Sequence, residues 1–308
     1  MPDLKGNYVQ WTSPDGKRFF PAAKTRDALR PGLYDVLITA ESGLFFEWVP
    51  VKTEGVIRFP HTNTDFVVDE IQRFWAQRER FVRYGLTHKR GIMLWGPPGS
   101  GKSCTIQLVM KDVIDRGGVA LRFGPPNLFT LGLRVLREIQ PETPVVVLME
   151  DMDSLVQQYS ETEILNLLDG AELVDRVVFL ASTNYPELLG ARIMNRPSRF
   201  DRRIKVPFPT EESRRIYLGS LLSRANGEAA QVDIERWSAD TEGFSFAHLK
   251  ELFVGVVILQ NPYEETVKTL RSMKEQISSE QFNRERVGFG RKEEERLLNG
   301  YASGLTRR

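Results

Sequence analysis

The sequence predicts an α/β fold: a parallel sheet covered by helices, with a small helical lid after it and a small β-rich domain before it. Three observations predict it. Short apolar runs alternate with helical segments through the middle of the chain. The runs stop after Pro209, and only helical patterns follow. Residues 1–60 carry strand and turn signals instead. Apolar strands between helices imply a parallel sheet covered on both faces.

Taken in order, Tyr8–Trp11, the turn Ser13-Pro14-Asp15-Gly16 and Arg18–Phe20 read as a hairpin. Gly32–Thr39 and Leu44–Val51, rich in aromatic and β-branched residues, flank Glu41-Ser42-Gly43 and read as a second. This β-rich region, 1–60, is too small for a large core and is expected to lean on its neighbour. Phe66 to Tyr84 is helical, with Phe66, Val67, Ile71, Phe74, Trp75, Phe81 and Val82 at helical spacing. The apolar runs are Gly91–Trp95, Val119–Phe123, Val145–Met149, Val177–Ala181 and Arg203–Val206. They place a large α/β subdomain over 61–208. Glu211–Arg224, Ile234–Asp240, Ser245–Leu259 and Tyr263–Ile277 are helical and define a lid over 209–277. Residues 278–308 are polar and highly charged, a terminal helix or solvated tail.

Composition narrows the classes. Of 308 residues, 41% are hydrophobic and 27% charged, which is globular. Lys and Arg number 42 against 41 Asp and Glu, a net charge of +1, so no nucleic-acid or acidic-membrane partner is demanded. Cys104 is the single cysteine, so no intrachain disulfide or cysteine-held metal is available. His61, His88 and His248 show no metal-ligand spacing. The N-terminal residues lack an apolar secretory core, and the longest apolar run, Phe253–Leu259, is too short to cross a bilayer. A reducing, cytoplasmic setting is expected.

Gly96-Pro97-Pro98-Gly99-Ser100-Gly101-Lys102-Ser103 fits the phosphate-binding loop GxxxxGK[ST], entered by a strand and left by a helix. Glycines let backbone N–H groups turn inward around a phosphate, and the helix N-terminus adds positive partial charge. Lys102 is placed to reach the β- and γ-phosphates of ATP, and the Ser103 hydroxyl to ligate Mg²⁺. The loop alone does not separate kinases, GTPases, helicases and motors.

The run Val145–Met149 ends in Glu150-Asp151-Met152-Asp153. A buried parallel strand delivers such carboxylates to its carboxyl edge, where ligands bind in open α/β sheets. One can hold Mg²⁺ through water and the next can orient or deprotonate the attacking water. Val177–Ala181 runs into Ser182-Thr183-Asn184, and Asn184 can hold that water or sense the γ-phosphate. Arg196 and Arg199 lie in the basic stretch Asn195–Arg203. An always-ionised guanidinium there can neutralise a phosphoryl group, reaching a neighbouring subunit if it is far from its own nucleotide.

From about residue 62 to 277 the chain resembles the AAA ATPases. The resemblance rests on Lys89-Arg90-Gly91, the phosphate loop, the acidic strand end, Leu165-Asn166-Leu167-Leu168-Asp169-Gly170, Ser182-Thr183-Asn184, Arg196-Pro197-Ser198-Arg199-Phe200-Asp201 and Glu242–Leu249, in order. It implies a P-loop AAA+ module with a helical lid, working as a hexameric ring on a macromolecular partner, a protein first. It further implies that Lys102 and Ser103 take the phosphate and Mg²⁺ roles, Asn184 the first-sensor role, and Arg196 and Arg199 the two finger positions. Cys104, Ala247 and His248 fall at nucleotide-contacting positions, the last two on the second-sensor helix.

The chain departs from the family at two places. The acidic order is Glu150-Asp151 rather than Asp-Glu, similar to the branch containing the mitochondrial translocase of a folded iron–sulfur subunit. Glu150 is then assigned to Mg²⁺ and Asp151, one methylene shorter, to the water. Phe129-Thr130-Leu131-Gly132 is the one candidate for the family's pore segment, and it reads equally as the apolar face of a helix over Asn127–Ile139. Phe45, Phe46 and Trp48 read either as core or as a partner-binding patch. Two alternatives to a remodelling ATPase stand beside it: a nucleotide-gated scaffold with slow hydrolysis, and a DNA-replication loader.

Overall fold

The run Val145–Met149 holds five apolar residues in a row, and all five are buried in β7 (Val145–Met149). Alternate side chains go to opposite layers. Val145, Val147 and Met149 enter one core cluster, and Val146 and Leu148 the other. This is a computed structural model describing residues 9–12, 17–22, 25–51, 56–60, 62–170, 175–194, 199–224 and 232–274. It divides into two compact units, Met1–Pro207 and Phe208–Arg308.

In the first unit, the elements before β7 are β1 (Gln10–Thr12), β2 (Phe20–Ala22), β3 (Gly32–Thr39), β4 (Gly43–Val49), α1 (Asn63–Ala76), α2 (Arg78–Arg83), β5 (Lys89–Trp95), α3 (Lys102–Asp115), β6 (Val119–Arg122) and α4 (Pro126–Ile139). After it come α5 (Met152–Tyr159), α6 (Glu161–Gly170), β8 (Val177–Thr183), a 3₁₀ turn (Pro186–Leu188), α7 (Ala191–Met194) and β9 (Arg202–Lys205). Among the described residues β1 and β2 form a two-stranded sheet. The other seven strands form one sheet, ordered β4-β3-β6-β7-β8-β5-β9. Only the β3–β4 pair is antiparallel in it. This is the mostly parallel, helix-flanked α/β sheet that the sequence predicts.

Val67, Ile71 and Phe74 of α1 and Ile106, Val109 and Val113 of α3 cover one face of the sheet. Phe129, Leu133 and Leu136 of α4 and Ile164, Leu165 and Leu168 of α6 cover the other. The helical reading of Phe129–Gly132 is therefore the one that holds. Phe129 is fully buried, and a side chain at Gly132 would meet Val36 at 2.4 Å, so neither residue is free to line a pore.

The boundary expected at residue 60 does not separate the sheets. β3 pairs with β6, and Leu33 enters one core layer while Tyr34 and Val36 enter the other. A strand apolar on both faces cannot be satisfied in a free hairpin, so it completes the larger sheet. In β4, Leu44 and Phe46 pack on the core, whereas Trp48 is 42% exposed beneath the Arg30 guanidinium. The stretch expected as one helix over Phe66–Tyr84 breaks at Gln77, so that Phe74 and Phe81 both close on His88.

The second unit holds α8 (Glu211–Leu222), α9 (Ile234–Asp240), α10 (Phe246–Phe253) and helical residues 263–274. The expected helix Ser245–Leu259 widens into a π turn over Val254–Ile258. Leu218, Trp237, Phe244, Leu249, Leu252, Val267 and Leu270 form its core. Arg214, 4% exposed, donates to the Ser238 and Pro209 carbonyls and so ties α8 to α9. The charged stretch 278–308 lies outside the described residues. No helix among the described residues is long and apolar enough to cross a membrane.

Candidate active site

β7, β8 and β5 are consecutive neighbours, with Met149 opposite Ala181 and Trp95 opposite Thr183. Parallel strands end on the same edge. The phosphate loop after β5, the carboxylates after β7 and Asn184 after β8 therefore emerge side by side. The topology brings together three motifs separated by up to ninety residues of sequence.

The loop is shaped by its glycines. Gly96 sits at φ 155° with the Val206 carbonyl 2.1 Å from where a Cβ would stand, so this position excludes any side chain. Gly99 (φ 70°) and Gly101 (φ 108°) take left-handed conformations that turn the chain into α3. Thr105, fully buried, donates to the Gly101 carbonyl and bonds the Thr64 hydroxyl of α1 at 2.9 Å, fixing the helix start. Neither threonine stood out in the sequence, because a Thr four residues into a helix carries no motif signal.

Lys102 is 7% exposed and folds back onto its own loop, donating to the Gly96 and Pro97 carbonyls at 2.7 and 2.9 Å. Burial pulls its pKa down to about 8, against the opposing pull of Asp151 and Asp153. Ser100 is 3% exposed and its hydroxyl has no partner among the described residues. Ser103 is exposed on the first turn of α3. Cys104 donates to the Ile57 carbonyl at 3.4 Å, and burial pushes its thiol pKa up.

Glu150 and Asp151 are exposed just past β7. Asp151 takes a left-handed conformation (φ 51°, ψ 56°) as the N-cap of α5, and its carbonyl accepts from Ser154 and Leu155. A non-glycine residue in that region marks a constrained corner. Asp153 accepts from the Thr183 hydroxyl at 2.7 Å, and that hydroxyl accepts from the Tyr185 N–H at 3.0 Å. The two flank half-buried Asn184. Asp153 and Thr183 were quoted in the sequence motifs without a role. Their mutual bond spans 30 residues and no local pattern announces it.

Arg196 lies outside the described residues. Arg199 is 2% exposed, bonded through Nε and Nη2 to both carboxylate oxygens of Asp169 at 2.8 and 2.6 Å, and through Nη1 to the Arg192 carbonyl. The Asp169 carboxylate pushes its pKa up further.

In the second unit, Ser245 caps α10 in a reciprocal box with His248, whose Nδ1 lies 2.6 Å from the Ser245 hydroxyl. Burial and nearby Lys274 lower the His248 pKa. Ala247 beside it is exposed.

Residues 92–208 match the family described as "ATPase family associated with various cellular activities (AAA)". The chain carries an AAA domain over those residues. Its AAA relatives include the ATP-dependent zinc metalloprotease FtsH of Acidothermus cellulolyticus, 28% identical over 75% of this chain and 36% of that protein. The proteasome-activating nucleotidase of Methanopyrus kandleri is 28% identical over 59% of this chain and 45% of its own length. The cell division cycle protein 48 homolog of Archaeoglobus fulgidus is 30% identical over 56% of this chain and 26% of its own. The chain thus spans less than half the length of each of these three AAA relatives.

Proposed function

We propose that this chain is a Mg²⁺-dependent ATPase that works as a self-associated ring, hexameric as in its family, to remodel or move a protein partner. One observation carries the reading: the phosphate loop, the carboxylates and the polar residue Asn184 leave three adjacent strands on one edge. The names of the relatives support it, since they include an ATP-dependent protease and a proteasome-activating nucleotidase.

In this reading the backbone N–H groups of residues 97–103 and the α3 N-terminus receive the phosphates. Lys102 exchanges its two carbonyl partners for phosphate oxygens. Ser103 and Glu150 would hold the metal. They suit Mg²⁺, because an exposed hydroxyl and an exposed carboxylate on neighbouring elements make an open oxygen set completed by substrate and water. Bound there, Mg²⁺ supplies charge neutralisation on the phosphate oxygens. Asp151 takes the proton of the attacking water, and Asn184 orients that water by hydrogen bonding. Arg196 serves a neighbour's nucleotide. By the family resemblance Ala247 and His248 are further nucleotide-contacting residues, and the near-neutral charge favours a protein over DNA as the load.

The left-handed corner at Asp151 favours a second reading, in which a short carboxylate held at a helix cap activates water slowly and ATP chiefly gates assembly. Phosphate release and mass photometry separate the two, using wild type, Lys102→Ala and Glu150→Gln with and without Mg·ATP. A ring with steady release that vanishes in Lys102→Ala is expected. A ring on ATP with almost no release establishes the gated scaffold, and DNA-stimulated turnover would replace both with a loader.

A further inference from the structure

The Arg199 guanidinium commits all three of its nitrogens inside its own chain. Nε and Nη2 form a two-pronged pair with Asp169 at the end of α6, and Nη1 bonds the Arg192 carbonyl at the start of α7. The side chain is 2% exposed, while the Asp169 carboxyl is 44% exposed. Parallel charge-assisted bonds of this kind are among the strongest in proteins, and an uncompensated guanidinium in such a site is strongly unfavourable.

The backbone is held as firmly. The Arg199 carbonyl fills the space that Gly91 leaves, 1.9 Å from where a Cβ would stand. The Gly91 N–H donates to the Asp201 carboxylate at 2.8 Å, and the Phe200 side chain is 3% exposed in the core. Residues 199–201 are thereby pinned to β5, α6 and α7 at once, immediately before β9.

We propose that Arg199 acts within its own subunit as a positioning residue. Paired with Asp169, it anchors residues 199–201 on β5, three positions after Arg196 in sequence. Contact with a neighbour's phosphoryl group is left to Arg196. The inference rests on the ring ATPase reading. It divides two arginines that sequence places in equivalent roles. To act in trans, Arg199 would have to abandon two bonds to Asp169 and one to Arg192 and leave the core.

Charge exchange tests it. ATP turnover (kcat and KM), fluorescent-nucleotide binding and thermal midpoint are measured for wild type, Arg199→Ala, Arg199→Lys, Asp169→Ala, the double alanine variant and the exchange Arg199→Asp/Asp169→Arg. The expected result is that Arg199→Ala and Asp169→Ala each lower kcat about tenfold with KM within about twofold, and that the double variant is no worse than either. Arg199→Lys falls between, and the exchange recovers most of the loss. Asp169→Ala leaving turnover intact while Arg199→Ala abolishes it would overturn the proposal, since Arg199 would then act outside the pair. So would a loss confined to the thermal midpoint with kcat per ATP-bound chain unchanged, because the pair would then serve stability alone. If wild type shows no turnover, the ATPase reading is what fails. The pair is then judged from the thermal cycle: coupling between the two alanine substitutions upholds the contact within one chain, and additivity refutes it.

Discussion

The Thr183 hydroxyl donates to the Asp153 carboxylate at 2.7 Å and accepts from the Tyr185 N–H at 3.0 Å, so one side chain joins the turn after β8 to the first turn of α5. Asn184 lies between Thr183 and Tyr185 in the chain, within the turn that this link holds. In the proposed reaction its amide must meet the attacking water in one orientation, and a shift of about 1 Å at such a site can cost about a hundredfold in rate. Thr183→Val keeps the shape and removes the link. It is expected to lower kcat about 10–100-fold with little change in ATP affinity. Asp153→Ala should fall in the same range and the pair should be non-additive. Steady-state turnover with nucleotide binding measured in parallel checks it.

Lys102 offers a pH signature. Its pKa of about 8 lies below the ordinary 10.5 because burial strips water from the ammonium, against the opposing pull of Asp151 and Asp153. The fold thus destabilises the charged form, a cost that is complete below about pH 8 and fades as pH rises from about 8 toward 10.5. Phosphate oxygens favour the cation and raise the pKa, so ATP binding draws in a proton. At pH 8.5 the expected uptake is about 0.7 proton more than in Lys102→Arg, whose side chain stays charged, and the difference shrinks to below about 0.1 at pH 6.5. Calorimetric titration in two buffers of different ionisation enthalpy measures it.

The central strands could be read from sequence because they are apolar on both faces and bounded by turn residues, as β7 shows. The candidate site stands out because its residues occupy motif positions that the topology brings to one edge: Gly96 to Ser103, Glu150, Asp151 and Asn184. The β3–β4 hairpin joining the large sheet could not. Alternation in Gly32–Thr39 says that the strand is buried but not against what, and the partner strand β6 begins 80 residues past the end of β3. The setting of Arg199 was hidden for a similar reason. The order Arg196, Arg199 gives two arginines near one another, whereas the pair with Asp169 depends on α6 and the residues just before β9 meeting in space. Sequence motifs report side chains aimed at a ligand. Side chains aimed at each other across 30 residues leave no periodic trace.

Gly91 bears on the fold and the site together. It is not a turn glycine. The Arg199 carbonyl and the Phe200 Cα would lie 1.9 and 3.0 Å from an added Cβ, and both are backbone atoms that cannot rotate away. Gly91→Ala should push residues 199–201 off β5 and break the Gly91–Asp201 bond. Overpacking of this kind costs about 1–3 kcal/mol, which lowers the thermal midpoint of a unit this size by about 3–10 °C. Differential scanning fluorimetry against Gly85→Ala, where nothing stands within 4 Å but φ is +64°, separates crowding from backbone strain.

His88 sits at the opposite edge of the sheet and predicts acid sensitivity that has nothing to do with nucleotide. The ring is 1% exposed and stacked 3.9 Å from Phe74. Its Nε2 donates to the Phe74 carbonyl, which leaves Nδ1 unprotonated, buried and without a partner among the described residues. A second proton would place an N–H there with no acceptor. Burial accordingly lowers the pKa; Asp175 opposes that shift, while Arg176 and Arg78 add to it. The folded state therefore holds His88 neutral, while the unfolded chain takes up a proton below about pH 6.5. The contribution is complete above that pH and is lost as pH falls below it toward the lower pKa of the folded state. Denaturant unfolding of wild type and His88→Phe from pH 7.5 to 5.5 tests this. Wild type should lose more stability than the variant over that range, since phenylalanine keeps a stacked ring and cannot take the proton.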